Sequence, residues 1–81
     1  MDTAPDNRDA FRIYSGASIG AAIRHYRQQA GLSQADLADQ AGLNRTYLAS
    51  LESGEETERT TRILRVLRRL GVRMVLEKAD W

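Results

Sequence analysis

The sequence predicts a mainly helical fold of four to five short helices followed by one C-terminal β-strand. Three observations predict it. Apolar residues recur at steps of three and four in four separate stretches. A serine, asparagine or threonine able to cap a helix precedes each stretch, and a glycine ends each, at Gly31, Gly42, Gly54 and Gly71. After Gly71 the period changes, and VRMVLEK alternates in the manner of a strand.

The elements follow in chain order. Residues 1–10 hold the only proline and no large apolar residue except Met1, the composition of a disordered N-terminal arm. Phe11 to Tyr14 alternate apolar and polar, which suits a short extended piece. Ser15 or Ser18 caps a first helix with Ile19, Ala22, Ile23, Tyr26 and Ala30 on its apolar side. Ser33 caps a second, with Asp36 three residues on to complete a capping box and with Leu37, Ala38 and Ala41 facing inward. Gly42 supplies a turn of positive φ, and two residues later Asn44 caps a third helix carrying Leu48 and Leu51. Thr57 caps a fourth, whose first turn holds Glu58 beside the positive end of the dipole. Its 100° wheel gathers Ile63, Val66, Leu67 and Leu70 on one face and Arg62, Arg65, Arg68 and Arg69 on the other. Arg59 falls on the apolar side, where it must snorkel or find a carboxylate. Residues 11–71 thus form one domain, and 72–81 a strand and tail.

Composition narrows the function classes. At 81 residues the chain is a single small domain that buries about 60% of its unfolded surface. It has no cysteine for a disulfide or a thiolate metal site, so a partner subunit is the available support. The N-terminus is polar and acidic, and no apolar run approaches membrane length, which points to a soluble cytoplasmic protein. There is no paired-carboxylate cleft, no nucleophile with a neighbouring base and no phosphate-cradling glycine loop, so no enzyme, cofactor or small-molecule substrate is expected. The net charge of +1 conceals segments of −2 (residues 1–10), +3 (11–32), −2 (33–54) and +2 (55–81). Six arginines and no acid lie between residues 59 and 76.

Chemistry concentrates between Gln34 and Ser53. A helix-turn-helix needs a small residue where its helices touch and a turn residue tolerant of positive φ. Ala38 and Gly42 occupy those places, and Leu37, Leu43, Leu48 and Leu51 supply the apolar contacts. The exposed face of the third helix then carries Arg45, Thr46, Ala49, Ser50 and Ser53, small and polar enough to enter a major groove. Arg45 suits guanine O6 and N7; Thr46 offers a methyl and a hydroxyl, and Ser50 a hydroxyl, to base edges. Gln34, Asn44 and Tyr47 are candidates for phosphates, setting register in place of sequence. So few long side chains imply a share for DNA shape.

The string IRHYRQQAGLSQADLADQAGLNRTYLASLESG resembles the phage-repressor or XRE type of helix-turn-helix protein, over about Ile19 to Leu70. The resemblance implies a lambda-repressor-like fold, a phosphate contact at Gln34, base contacts at Arg45, Thr46 and Ser50, and an ion pair between Arg27 and Glu52. Ser53 and Arg59 depart from the family's usual residues. The flanks RIYSGAS and GVRMVLEKAD are similar to HipB-type antitoxins, which repress their own operon and bind a kinase toxin of the HipA type. That resemblance implies a HipA-like partner. Tryptophan is favoured as a buried interface anchor, which makes Trp81 a candidate contact for that partner, with satellite packing or disorder as the alternative. A stand-alone XRE-type repressor and a protein-binding module are the alternatives.

A lone strand cannot satisfy its own backbone. The expectation is a homodimer in which the strand pairs with its copy through Val72, Met74 and Leu76, joined by the apolar side of the fourth helix. Such a dimer presents two recognition helices to a palindromic operator in double-stranded DNA.

Overall fold

A computed structural model describes residues 10–55 and 57–79. The elements run β1 (Phe11–Ile13), α1 (Gly16–Gln29), α2 (Gln34–Ala41), α3 (Arg45–Glu52), α4 (Glu58–Arg69) and β2 (Met74–Leu76). The arm expected at residues 1–10, apart from Ala10, lies outside the described residues, as does Trp81.

Each helix begins on a side-chain cap that satisfies otherwise orphaned amides. Ser15 and Ser18 form a reciprocal box at α1, as do Ser33 and Asp36 at α2. Asn44 Oδ1 accepts from the Thr46 amide at 2.7 Å, and Thr57 Oγ1 from the Thr60 amide at 3.2 Å. Gly42 ends α2 in the left-handed region at φ 69°, the conformation that lets α3 restart at once across it.

The C-terminal strand is not unpaired, which corrects the reasoning from sequence. β2 lies antiparallel to β1 of the same chain, with Phe11 opposite Leu76, Arg12 opposite Val75 and Ile13 opposite Met74. The period of two then sends Phe11, Ile13, Met74 and Leu76 to the inner face, where they pack with Ala22, Ile19 and Tyr26 of α1 and Leu64 of α4. Met74 and Leu76, expected at a dimer contact, therefore serve the chain's own core, while Val72 and Val75 stay exposed. The Tyr26 hydroxyl donates to the Leu76 carbonyl at 3.2 Å and ties α1 to the sheet. His25 sits between Phe11 and Tyr26, with ring centroids 5.0 and 5.2 Å away, a packing role for the only histidine.

Two further expectations change. The apolar face assigned to α4 is split: Leu67 turns inward beside Leu64, which the wheel did not single out, and Ile63, Val66 and Leu70 remain 48%, 57% and 68% exposed. The body that α4 packs on meets the line through Thr60, Leu64 and Leu67, leaving the other apolar line outside. Arg59 is exposed on that outer line. Leu43, expected to brace the helix pair, is 43% exposed, and the buried residues of the pair are Ala38 of α2 and Leu48 of α3.

α1 and α3 approach so closely at Gly20 that no side chain fits. A Cβ there lies 2.3 Å from the Leu51 carbonyl oxygen and 2.8 Å from that of Glu52, both backbone atoms. Gly20→Ala gains helix propensity of up to about 1 kcal/mol but must push the two helices apart. The expected net result is a loss of about 1–3 kcal/mol in urea unfolding; an unchanged or raised midpoint contradicts this packing.

Candidate nucleic-acid interface

The third helix is presented to solvent by what lies behind it. Leu48, 3% exposed, and the half-buried Leu51 anchor its inner side. The outer side carries Arg45, Thr46, Ala49, Ser50 and Ser53, of which Arg45, Thr46 and Ser53 are exposed and Ala49 and Ser50 half-buried. Arg45 is the first residue of α3, so its guanidinium leads the helix.

The side chain of Arg27 holds this helix in place. Its Nε donates to Glu52 Oε2 at 2.6 Å and its Nη2 to Glu52 Oε1 at 2.8 Å, a bidentate pair. The third nitrogen, Nη1, donates to the Leu32 carbonyl at 2.8 Å. Both side chains are withdrawn from water, at 11% and 4% exposure. Gln34 joins them from the first turn of α2, its Nε2 donating to Glu52 Oε1 at 3.1 Å. Glu52 is thus the meeting point of α1, α2 and α3. The Arg27 hydrogen bonds hold the Glu52 carboxyl below the usual carboxylate range, against burial that pushes it up, and Gln34 assists. The same bonds raise Arg27.

The residues assigned to phosphates are differently engaged. Gln34 lends an amide N–H to Glu52, as above. Asn44 spends its side-chain oxygen on the cap of α3 and keeps its amide donors for an outside group. Tyr47 is 53% exposed beside them. Arg24, Gln34, Ala49, Glu52 and Ser53 also line one shallow cleft with Arg27, which adds the exposed Arg24 to the basic groups at this surface.

Ser50 has a partner that sequence reasoning missed. Its hydroxyl donates to Glu55 Oε1 at 2.7 Å. The glycine stop after α3, with a carboxylate directly behind it, is the only signal of this in the sequence. Of the dimer residues, Val72 is exposed and Met74 and Leu76 half-buried. Among the described residues, no three His, Cys, Asp or Glu side chains come together as a metal site, and no helix is long and apolar enough to cross a membrane.

Two short helices joined by a left-handed glycine, the second braced from behind and polar in front, define a helix-turn-helix unit. A family model described as a helix-turn-helix domain matches residues 18–80, and the chain belongs to that family. Its members' shared unit is one of sequence-specific DNA binding. No curated protein and no solved structure matches the chain.

The pair makes stability sensitive to acid. Because Glu52 is depressed in the folded state, its contribution is present above its unfolded value, near pH 4.3, and is lost as pH falls through the lower folded value. Asp36, depressed by its bonds with Ser33, acts in the same sense. Thermal melts followed by circular dichroism between pH 5 and pH 2.5 are expected to show a steeper fall for the wild type than for Glu52→Gln. Parallel curves refute this role for the carboxylate.

Proposed function

We propose that the protein is a homodimeric transcriptional repressor that binds a palindromic operator through α3. The single observation that carries this reading is the fixed presentation of the Arg45, Thr46 and Ser50 face by the Arg27–Glu52 pair behind it. Arg45 contacts guanine in bidentate fashion, Thr46 and Ser50 meet neighbouring base edges, and Gln34, Asn44 and Tyr47 serve phosphates.

The dimer is supported by the apolar surface left outside. Ile63, Val66 and Leu70 of α4 are exposed together with Val72 and Val75. β2 uses one edge for β1, and its other edge has no strand partner among the described residues. Pairing of that edge with its copy, with the α4 line covered at the same time, buries this surface and brings two α3 helices to successive major grooves.

We further propose that the repressor is the antitoxin of a HipA/HipB-like module and binds a HipA-like kinase toxin. The support is that the two flanking stretches carrying the resemblance meet in one sheet, Arg12 and Ile13 of the first lying opposite Val75 and Met74 of the second. Trp81 as the toxin anchor rests on the sequence alone. Co-purification with a kinase encoded beside it favours this reading over a stand-alone repressor.

Two measurements test the core of the proposal. Arg45→Ala is expected to cost about 1–3 kcal/mol of discrimination at one base pair per half-site, with the fold intact by circular dichroism. Uniform weakening across all sequences contradicts base contact by Arg45. In sedimentation equilibrium at micromolar concentration, Val66→Glu is expected to turn a dimer into a monomer and to abolish tight operator binding; a monomeric wild type that binds the operator tightly contradicts the dimer.

A further inference from the structure

The loop after α3 returns a carboxylate to the face that meets DNA. Gly54 makes the return possible: it is left-handed at φ 84°, and a Cβ there lies 2.8 Å from Ala17 Cα, so it is pressed against α1. The chain then turns back on α3. The Glu55 amide points to the Ser50 carbonyl at 3.4 Å, its carboxylate accepts the Ser50 hydroxyl at 2.7 Å, and Ser53 Oγ donates to the same Ser50 carbonyl at 2.7 Å. Glu55 is therefore bound to Ser50 by main chain and side chain alike.

This changes what Ser50 can offer. A free serine hydroxyl meets either a donor or an acceptor. Here the hydroxyl proton is spent on Glu55, and the pair presents acceptors alone. In a major groove the only base-edge donors are cytosine N4 and adenine N6. Adenine places its N7 acceptor beside N6, where a carboxylate is repelled. Guanine and thymine offer acceptors at the equivalent positions, and phosphates repel the charge outright.

We propose that Glu55, held by Ser50, is a specificity-determining residue that selects cytosine at one position of each half-site. The inference rests on the reading of α3 as the recognition helix. Glu55 accepts from cytosine N4, ranks adenine second, and penalises guanine and thymine by unpaired burial of its charge. It is the acidic counterpart of Arg45, one contact strengthening a guanine and the other excluding it, Arg45 opening α3 and Glu55 folding back from the loop beyond its end.

The test is selection of binding sites from a randomised DNA library by the full chain, wild type beside Glu55→Gln, Ser50→Ala and Arg45→Ala, followed by titration of the selected site and its single-base variants. The wild type is expected to prefer cytosine over guanine or thymine by roughly ten-fold at one position. Glu55→Gln flattens that position by raising affinity for the disfavoured bases, and leaves the position governed by Arg45 unchanged. Ser50→Ala weakens the same preference several-fold, because the carboxylate loses its anchor. A uniform gain in affinity at every sequence, with a steeper salt dependence, shows that Glu55 only repels phosphates and overturns the proposal. So does an unchanged profile. A wild type with no sequence preference at all, and no response to Arg45→Ala, instead overturns the DNA-recognition reading beneath it.

Discussion

One guanidinium organises the DNA-reading half of the molecule. Arg27 stands in the last turn of α1 and uses three nitrogens on two targets: the Glu52 carboxylate at the end of α3, and the Leu32 carbonyl in the turn that leads to α2. Gln34 then closes the arrangement from α2. A lysine offers a point charge and cannot span these partners in one plane. Removing two charges from water returns little net stability, so the value of the pair lies in geometry. It fixes how α3 sits on α1, and with it the direction in which Arg45, Thr46 and Ser50 face.

The rest of the packing respects that constraint. Glycine at position 20 lets the backbone of α1 reach the carbonyls of Leu51 and Glu52, which places Glu52 within range of Arg27. Gly54 repeats the device one turn later against Ala17 and sends the chain back across the face of α3. On the other side of α1, the two-stranded sheet and Leu64 of α4 complete a separate apolar core around Ala22. α1 is thus a shared wall, with an ionic joint on one side and an oily one on the other. A small chain without cysteines depends on both, and the line of Ile63, Val66 and Leu70 stays exposed as a third apolar surface, the one that the proposed dimer covers.

Local chemistry was legible in the sequence where it is carried by neighbours. Caps at Ser15, Ser33, Asn44 and Thr57 and stops at the four glycines sit two to four residues from the groups they satisfy, and the four helices follow from them. What sequence could not resolve was contact across long separations. Phe11 and Leu76 are far apart in the chain, and three-residue strands carry too little alternation to announce that they pair. A helical wheel finds apolar positions but not the direction of the body, so it does not separate the buried Leu64 from its neighbours and ranks Ile63 and Val66 level with Leu67. The pairing of Arg27 with Glu52 came from family resemblance, and the structure holds the two at 2.6 Å; neither periodicity nor spacing implies it. The Ser50–Glu55 bond was hidden because it depends on the left-handed turn at Gly54 bringing the carboxylate back onto α3.

The claim that this pair joins the helices is tested most directly by a thermal double-mutant cycle on Arg27→Met and Glu52→Met. Each single change strands a partner charge in a site withdrawn from water, and each is expected to lower Tm by roughly 10 °C or more. The double variant strands none, and its Tm is expected above that of either single variant. Losses that simply add would show that Arg27 and Glu52 act independently, and would contradict the account.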